Sequence, residues 1–90
     1  MPVAVRISPH HMSKEDYERI IAELEASGVG EPEGRVFHAG YGDADLRMFE
    51  VWESPEQFEA YREKLMSILQ AVTFGPALVE IDELQSRRPL

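Results

Sequence analysis

The segment Leu46–Leu69, LRMFEVWESPEQFEAYREKLMSIL, changes from a strand pattern to a helix pattern within a few residues. In its first part apolar residues fall on both faces of an alternating pattern, as in a strand that is covered on both sides. Ser54, Pro55 and Gln57 then form a helix start. The serine can accept from the Gln57 amide, the proline fits the first helical position, and the Gln57 side chain can reach back to the Ser54 amide as a capping box. The segment therefore predicts one strand followed by one helix.

Apolar residues beyond this start recur at steps of three and four, which places them on one stripe of the helix. They are Phe58, Tyr61, Leu65, Ile68, Leu69 and Val72. The other expected elements, in chain order, are strands at 3–8, 35–41 and 77–84 and a helix that begins after Ser13 and ends at Gly28. This order predicts a ferredoxin-like α+β fold, in which a four-stranded antiparallel sheet carries both helices on one face. We assign 1–84 to a single domain and 85–90 to a C-terminal tail.

Alternation divides the expected sheet between a helix-covered face and an open face. The expected helix-covered residues are Val3, Val5, Ile7, Phe37, Ala39, Phe49, Val51, Val79 and Ile81. The expected open residues are Ala4, Arg6, Ser8, Val36, His38, Leu46, Met48, Glu50, Trp52, Leu78 and Glu80. Such an open face is too apolar to leave in water over a whole sheet. We therefore expect a homodimer, in which a second copy covers this face about a two-fold axis.

Composition excludes several classes of partner and chemistry. The net charge of -8 argues against a nucleic acid or an anionic membrane, because both require a basic face. Without cysteine, a signal-like start or a long apolar run, the chain is expected to be a soluble cytoplasmic protein. No nucleotide-binding, nucleophilic-serine or zinc-protease motif occurs. The adjacent His10 and His11 lack further ligands nearby, so we expect neither a metal nor a cofactor.

The decapeptide FEVWESPEQF, residues 49–58, resembles the strand-to-helix signature of the dimeric α+β barrel superfamily, which contains the antibiotic-biosynthesis-type monooxygenase domains. The resemblance implies a ferredoxin-like protomer whose sheet packs against that of a second protomer. It also implies a pocket between the sheet and the helices or between the two sheets. Members include cofactor-free oxygenases, haem-degrading oxygenases, isomerase-like and chlorite dismutase-like enzymes, stress-responsive proteins and domains without assigned activity. The resemblance therefore implies a fold but no single activity.

Two residues that such oxygenases use are missing from this sequence. Oxygenase members with a corresponding tryptophan usually have an asparagine on a strand that faces the pocket, and the haem-degrading members have a histidine on the second helix. This sequence contains no asparagine, and the matching helix positions are Tyr61 and Arg62. The resemblance therefore implies no haem ligand, and a cofactor-free oxygenase would lack its polar partner.

A group of ionisable residues on the expected open face forms the candidate catalytic site. His38 could take a proton near neutral pH, Arg6 could hold an enolate or a carboxylate, and Glu50 could orient either of them. A partner that covers this face would partly desolvate the group and shift its pKa values. The alternative is an interfacial set of ion pairs, with Glu80, that binds no substrate.

Trp52 is the candidate substrate-binding residue, together with Met48 and Tyr61. A tryptophan beside a pocket could stack on a planar substrate or exchange an electron with it. The alternative is that its ring fills the dimer interface near the end of the strand. Tyr17 is interpreted as a residue at the edge of the core rather than as a proton donor.

Three functions stay open at this point. The first is a homodimeric module that binds a small, largely apolar or aromatic molecule in a pocket near the sheet. The second is a cofactor-free monooxygenase-like or isomerase-like enzyme that acts on a phenolic, quinol or enol substrate. The third is an assembly or stress-response protein whose second sheet face is closed entirely. A cavity next to Trp52 would favour the first two functions, and a closed interface of paired charges would favour the third.

Overall fold

Six elements follow one another in the expected order in the computed structural model, which describes residues 1–86. They are β1 Val3–Pro9, α1 Lys14–Ala26, β2 Arg35–Tyr41, β3 Arg47–Trp52, α2 Pro55–Thr73 and β4 Ala77–Glu83. The strands form one four-stranded antiparallel sheet in the order β2-β3-β1-β4. The ferredoxin-like α+β class is thereby confirmed. Of the tail expected at 85–90, residues 87–90 lie outside the described part of the chain.

Both helices begin at the serines that the sequence indicates. Ser13 Oγ accepts from the Asp16 amide at 3.0 Å, and the Asp16 carboxylate accepts from the Ser13 amide at 3.1 Å, which is a complete capping box. Ser54 Oγ accepts from the Gln57 amide at 3.2 Å. The Gln57 side chain, however, accepts from the Ser54 hydroxyl at 3.1 Å and does not reach the Ser54 amide. The capping box expected at α2 is therefore only half formed.

The hydrophobic core lies between the sheet and the two helices. From the sheet it takes Val3, Val5, Ile7, Met48 and Trp52. From the helices it takes Ile20, Leu24, Phe58, Tyr61, Leu65, Leu69 and Val72, which confirms the apolar stripe predicted for α2. Full burial of one such side chain stabilises the fold by about 1.5–3 kcal/mol. In the described part of the chain, neither helix has the length and apolar composition that crossing a membrane requires.

The expected faces are correct for β1 and β4 and reversed for β2 and β3. Val3 pairs with Trp52, Val5 with Glu50 and Ile7 with Met48, and residues paired across an antiparallel ladder share a face. His38 pairs with Glu50 and so lies on this face too. The helices therefore cover His38, Met48, Glu50 and Trp52, which the sequence pattern had placed on the open face. The open face instead carries Phe37, Ala39, Phe49 and Val51.

The observed face of β3 is unexpected because it buries the charged residue Glu50. An unpaired carboxylate is costly to bury, which favours an outward position for Glu50. In the structure this carboxylate is fully buried but accepts from Trp52, His38 and Arg35. A β-bulge between Arg35 and Phe37 lets Arg35 and His38 share one face, which an unbroken strand cannot do for residues three apart.

Candidate functional site

A chain of hydrogen bonds connects α1, β2 and β3 beneath the helices. The Tyr17 hydroxyl lies 2.7 Å from His38 Nε2, and His38 Nδ1 lies 2.7 Å from Glu50 Oε2. The Trp52 indole N–H donates to Glu50 Oε1 at 2.9 Å. Because an ionised carboxylate only accepts, His38 Nδ1 must carry the proton of its bond to Glu50. In the neutral imidazole, Nε2 then accepts from the Tyr17 hydroxyl.

Tyr17 reaches the sheet because β2 has a glycine beneath it. A Cβ placed on Gly40 would come within 2.6 Å of the Tyr17 ring. The phenol therefore lies over β2, parallel to the His38 ring, with the two ring centroids 5.9 Å apart and an interplanar angle of 5°. The capping box at Ser13 fixes the first turn of α1, and hence the position from which Tyr17 extends.

Arg35 forms hydrogen bonds both to the α1–β2 loop and to the buried carboxylate of Glu50. Its Nη1 donates to Glu50 at 3.3 Å and its Nη2 to the Gly30 carbonyl at 2.8 Å. The Arg35 and His38 side chains are 14% and 15% exposed, whereas Glu50 is 0% exposed. The charged interior of the network is thus closed off from solvent, while its outer end remains accessible.

The phenols of Tyr17 and Tyr61 keep their protons at neutral pH. Burial raises the pKa of Tyr17; Arg35 opposes this rise and Glu50 adds to it. Burial also raises the pKa of Tyr61, and the Glu50 carboxylate adds to that rise. Arg35 opposes this rise in part, and its guanidinium carbon stands 6.0 Å from the centroid of the Tyr61 ring. Both hydroxyls are therefore hydrogen-bond donors.

Several grooves border the α1–β2 loop, among them one of about 410 Å³ that Arg35, Phe37 and His38 line. A second, of about 470 Å³, is bounded by α1 and the loop, and Tyr17, Arg35 and His38 line it. A third, of about 390 Å³, lies between the loop and α2, and Tyr61 lines it. Trp52 lines none of these grooves and is 0% exposed, so its ring belongs to the core beneath the helices. The accessible end of the network is the end formed by Tyr17 and His38.

The structure brings His38, Glu50 and Trp52 together but separates Arg6 from them. Arg6 lies on the open face, where its guanidinium is 3.5 Å from Glu80 and 3.7 Å from Asp82. The expected grouping of Arg6 with His38 is therefore wrong. The cation beside this histidine is Arg35 instead.

The two expected pocket residues besides Trp52 have different surroundings. Met48 is fully buried in the core, and so lies away from these grooves. Tyr61 packs against Trp52 with ring centroids 5.2 Å apart, and its hydroxyl has no hydrogen-bond partner within residues 1–86.

Tyr17 and Arg35 belong to the hydrogen-bonded chain around Glu50, and sequence reasoning missed both. Tyr17 has the spacing of a core residue, and its contact with His38 depends on how α1 lies across β2. Arg35 reaches Glu50 only because of the bulge between Arg35 and Phe37. The residue types at this point of the strand do not predict a bulge. Within residues 1–86 no cluster of histidines and carboxylates could hold a metal ion.

Comparisons with known proteins agree on the fold. No protein-family model matches the chain, and no curated protein sequence matches it either. A candidate antibiotic biosynthesis monooxygenase from Deinococcus radiodurans has a TM-score of 0.67 at 10% identity, over 100% of this chain and 98% of that chain. Other solved structures with the same fold include proteins of unknown function.

Two similar structures have names that describe an activity. The monooxygenase from the ActVA-Orf6 gene of Streptomyces coelicolor, solved with the ligand nanaomycin D, has a TM-score of 0.63 at 14% identity, over 99% of this chain and 91% of that chain. SnoaB, a cofactor-independent oxygenase from Streptomyces nogalater, has a TM-score of 0.56 at 16% identity, over 99% and 94%. At these identities the similarity establishes the fold alone. The chain therefore has the ferredoxin-like fold of the antibiotic-biosynthesis-monooxygenase group, as the signature at residues 49–58 indicates.

Proposed function

We propose that the chain forms a homodimer whose protomers each bind a small aromatic molecule with an ionisable hydroxyl, in the groove beside Tyr17 and His38. The observation that carries this proposal is the Tyr17–His38–Glu50 hydrogen-bonded chain, which runs from that groove to a buried carboxylate. A ligand hydroxyl donates to the Tyr17 oxygen while Tyr17 donates to His38. A positive charge that develops on the imidazole is then stabilised by Glu50.

The walls of the groove suit such a ligand. Ile21 and Ala22 of α1 supply apolar surface, and Tyr17 supplies an aromatic edge. Polar groups converge at the end where His38 and Arg35 stand. Glu18, Glu25 and Glu31 also line the groove, so its walls combine apolar and charged groups and favour a neutral ligand over an anionic one.

The homodimer is proposed from the open face of the sheet. Phe37 is 51% exposed, Tyr41 44% and Leu78 62%, and the Phe37 ring packs edge-on against Phe49 at 6.1 Å between centroids. The exposed apolar side chains of this face favour burial against a second copy, which a two-fold axis achieves with one surface, although Arg6, Glu80 and Asp82 lie on the same face. The Tyr17–His38–Glu50 chain of hydrogen bonds, called the relay from here on, lies on the helix-covered face. Ligand binding and dimerisation therefore use separate surfaces.

A second candidate function is that of a cofactor-free oxygenase acting on a phenol, quinol or enol. It is favoured by the position of Glu50 behind His38, since a carboxylate-backed imidazole is an effective general base. Removal of a proton from the substrate gives a phenolate or enolate, which is a better reductant of O₂ than the neutral form. For an activated methylene group the balanced change is R₂CH₂ and O₂ to R₂C=O and H₂O. The printed names of two structures with this fold, an oxygenase and a monooxygenase, support this candidate.

Replacing His38 by glutamine is expected to weaken the binding of naphthol by about tenfold, because the relay loses its proton acceptor. Calorimetry measures the affinity, because the single tryptophan is buried in the core and does not line the groove. Arg6→Gln, on the open face, is the matched control and should bind as the natural chain does. Equal affinities for His38→Gln and the natural chain would contradict the proposed site.

Oxygen uptake separates the two candidate functions. With anthrone or a hydroquinone as substrate, the oxygenase predicts uptake above the uncatalysed rate that is lost in His38→Gln. If naphthol and anthrone bind while no substrate raises oxygen uptake, the oxygenase is excluded and the binding function stands.

A further inference from the structure

One proton decides the direction of the hydrogen bonds in the relay. While the His38 ring is neutral, Glu50 accepts from its Nδ1 and Tyr17 donates to its Nε2, each across 2.7 Å. The Tyr17 hydroxyl has a single hydrogen, so only its lone pairs remain for the groove. In this state the relay accepts a hydrogen bond from a ligand and cannot donate one.

A second proton on the imidazole reverses the bond to Tyr17. Both nitrogens of a charged histidine are donors, so Nε2 donates to the Tyr17 oxygen and the Tyr17 hydrogen turns away from the ring. Glu50 remains an acceptor, because the Trp52 indole and the Arg35 guanidinium also donate to its carboxylate, at 2.9 Å and 3.3 Å. The groove then meets a hydrogen-bond donor in place of an acceptor.

The titratable and charged groups around the relay come from both helices, the α1–β2 loop and two strands. They are Tyr17, Glu18 and Glu25 of α1, Glu31 of the loop, Arg35 of β2, Glu50 of β3 and Tyr61 of α2. Histidine is the side-chain type in this network whose charge changes near neutral pH, and both tyrosines keep their protons there. A charge on His38 has the Glu50 carboxylate as its partner at 2.7 Å.

We propose that the protonation of His38 determines which ligand the groove selects: the neutral relay binds an aromatic hydroxyl, and the protonated relay binds an aromatic oxygen that can only accept. This inference rests on the proposed function, because it concerns regulation of the same ligand site. Tyr17 is the residue that contacts the ligand, and His38 sets its specificity by turning the Tyr17 hydrogen. The change requires no movement of the backbone.

The test measures the affinity of the natural chain for naphthol and for its methyl ether by calorimetry, at about pH 8 and about pH 5.5. The ether keeps the rings and the oxygen but has no hydroxyl hydrogen. At the higher pH naphthol should bind about tenfold more tightly, because the ether oxygen faces the lone pairs of Tyr17. At the lower pH the ether should gain affinity, and the two should agree within about twofold.

Three variants assign this change in the affinity ratio to the relay. His38→Gln removes the titrating ring and should make the ratio independent of pH. Tyr17→Phe removes the contacting hydroxyl and should give nearly equal affinities at both pH values. His11→Gln is the matched control, because it removes an exposed histidine beside Asp45, and it should keep the pH dependence.

The titration of His38, followed by NMR over the same range, separates failure of this inference from failure of the proposed function. An affinity ratio that stays constant while His38 titrates overturns the inference, and so does a His38 ring that keeps one charge state throughout in the folded chain. In either case the proposed function stands if His38→Gln weakens naphthol binding. If naphthol does not bind the natural chain at either pH, the proposed function is wrong and the inference fails with it.

Discussion

Met48→Asp is expected to abolish the folded state. Met48 is fully buried on the helix-covered face, opposite Ile7. An aspartate there places an unpaired charge in the core, which costs several kcal/mol and approaches the whole stability of a small domain, about 5–15 kcal/mol. Circular dichroism and urea unfolding measure the loss directly.

Phe49→Asp is the matched control, one residue further along β3. Phe49 lies on the open face, so this variant should keep the fold and its melting transition while self-association falls. Sedimentation gives the mass of both variants. If instead Phe49→Asp unfolds the protein and Met48→Asp only dissociates it, the two faces of β3 have been assigned the wrong way round.

Glu50→Ala is expected to destabilise the protein by about 3–5 kcal/mol, because it leaves a buried guanidinium without its counter-ion. It also removes the acceptor of His38 and of the Trp52 indole. Urea unfolding monitored by tryptophan fluorescence measures the change in free energy. The effect should greatly exceed that of any exposed carboxylate.

Two further variants make this experiment sharper. Glu50→Gln keeps the shape and one acceptor oxygen and should fall between Glu50→Ala and the natural chain. Glu63→Ala removes an exposed carboxylate of α2 and should change the free energy of unfolding by less than about 0.5 kcal/mol. Wild-type stability in Glu50→Ala would mean that this carboxylate does not hold the network together.

The elements of this fold can be predicted from the sequence because their signals are local. Ser13 and Ser54 begin the helices, and Gly28 follows the end of α1. The alternation of β1 predicts its buried face directly, since Val3, Val5 and Ile7 are all strongly apolar and the residues between them are small or polar.

The faces of β2 and β3 could not be predicted in the same way. Burial of Glu50 depends on donors at positions 35, 38 and 52, and the position of one of them, Arg35, depends on the bulge before Phe37. Alternation contains no information about either condition.

The sequence predicted part of the candidate site, because alternation relates residues on neighbouring strands of a hairpin but not residues on different elements. His38 and Glu50 were paired correctly because an unbroken alternation relates them across the β2–β3 hairpin, whichever face they occupy. The sequence predicted Arg6 as the cation beside His38. The helix-covered face carries Arg35 there instead, and Arg6 lies on the open face. Tyr17 was missed because it comes from another element and reaches His38 only through tertiary packing over Gly40.

Separation of the ligand groove from the open face has a consequence for any activity. If dimerisation covers Phe37, Phe49 and Leu78, it stabilises the protomer but contributes no side chain to the relay. Ligand affinity per protomer is therefore expected to be the same in a monomeric variant as in the dimer. Under the proposed function, the groove rather than the interface determines which molecule binds.

The protonation of the His38 ring tests the central claim most directly, through a two-bond proton–nitrogen NMR spectrum of the three histidines, assigned with His38→Gln. For the neutral ring we expect a proton on Nδ1, held by Glu50, and an unprotonated Nε2 whose signal shifts when naphthol is added. A neutral ring protonated at Nε2, or a Nε2 signal that naphthol at saturating concentration leaves unchanged, would contradict it.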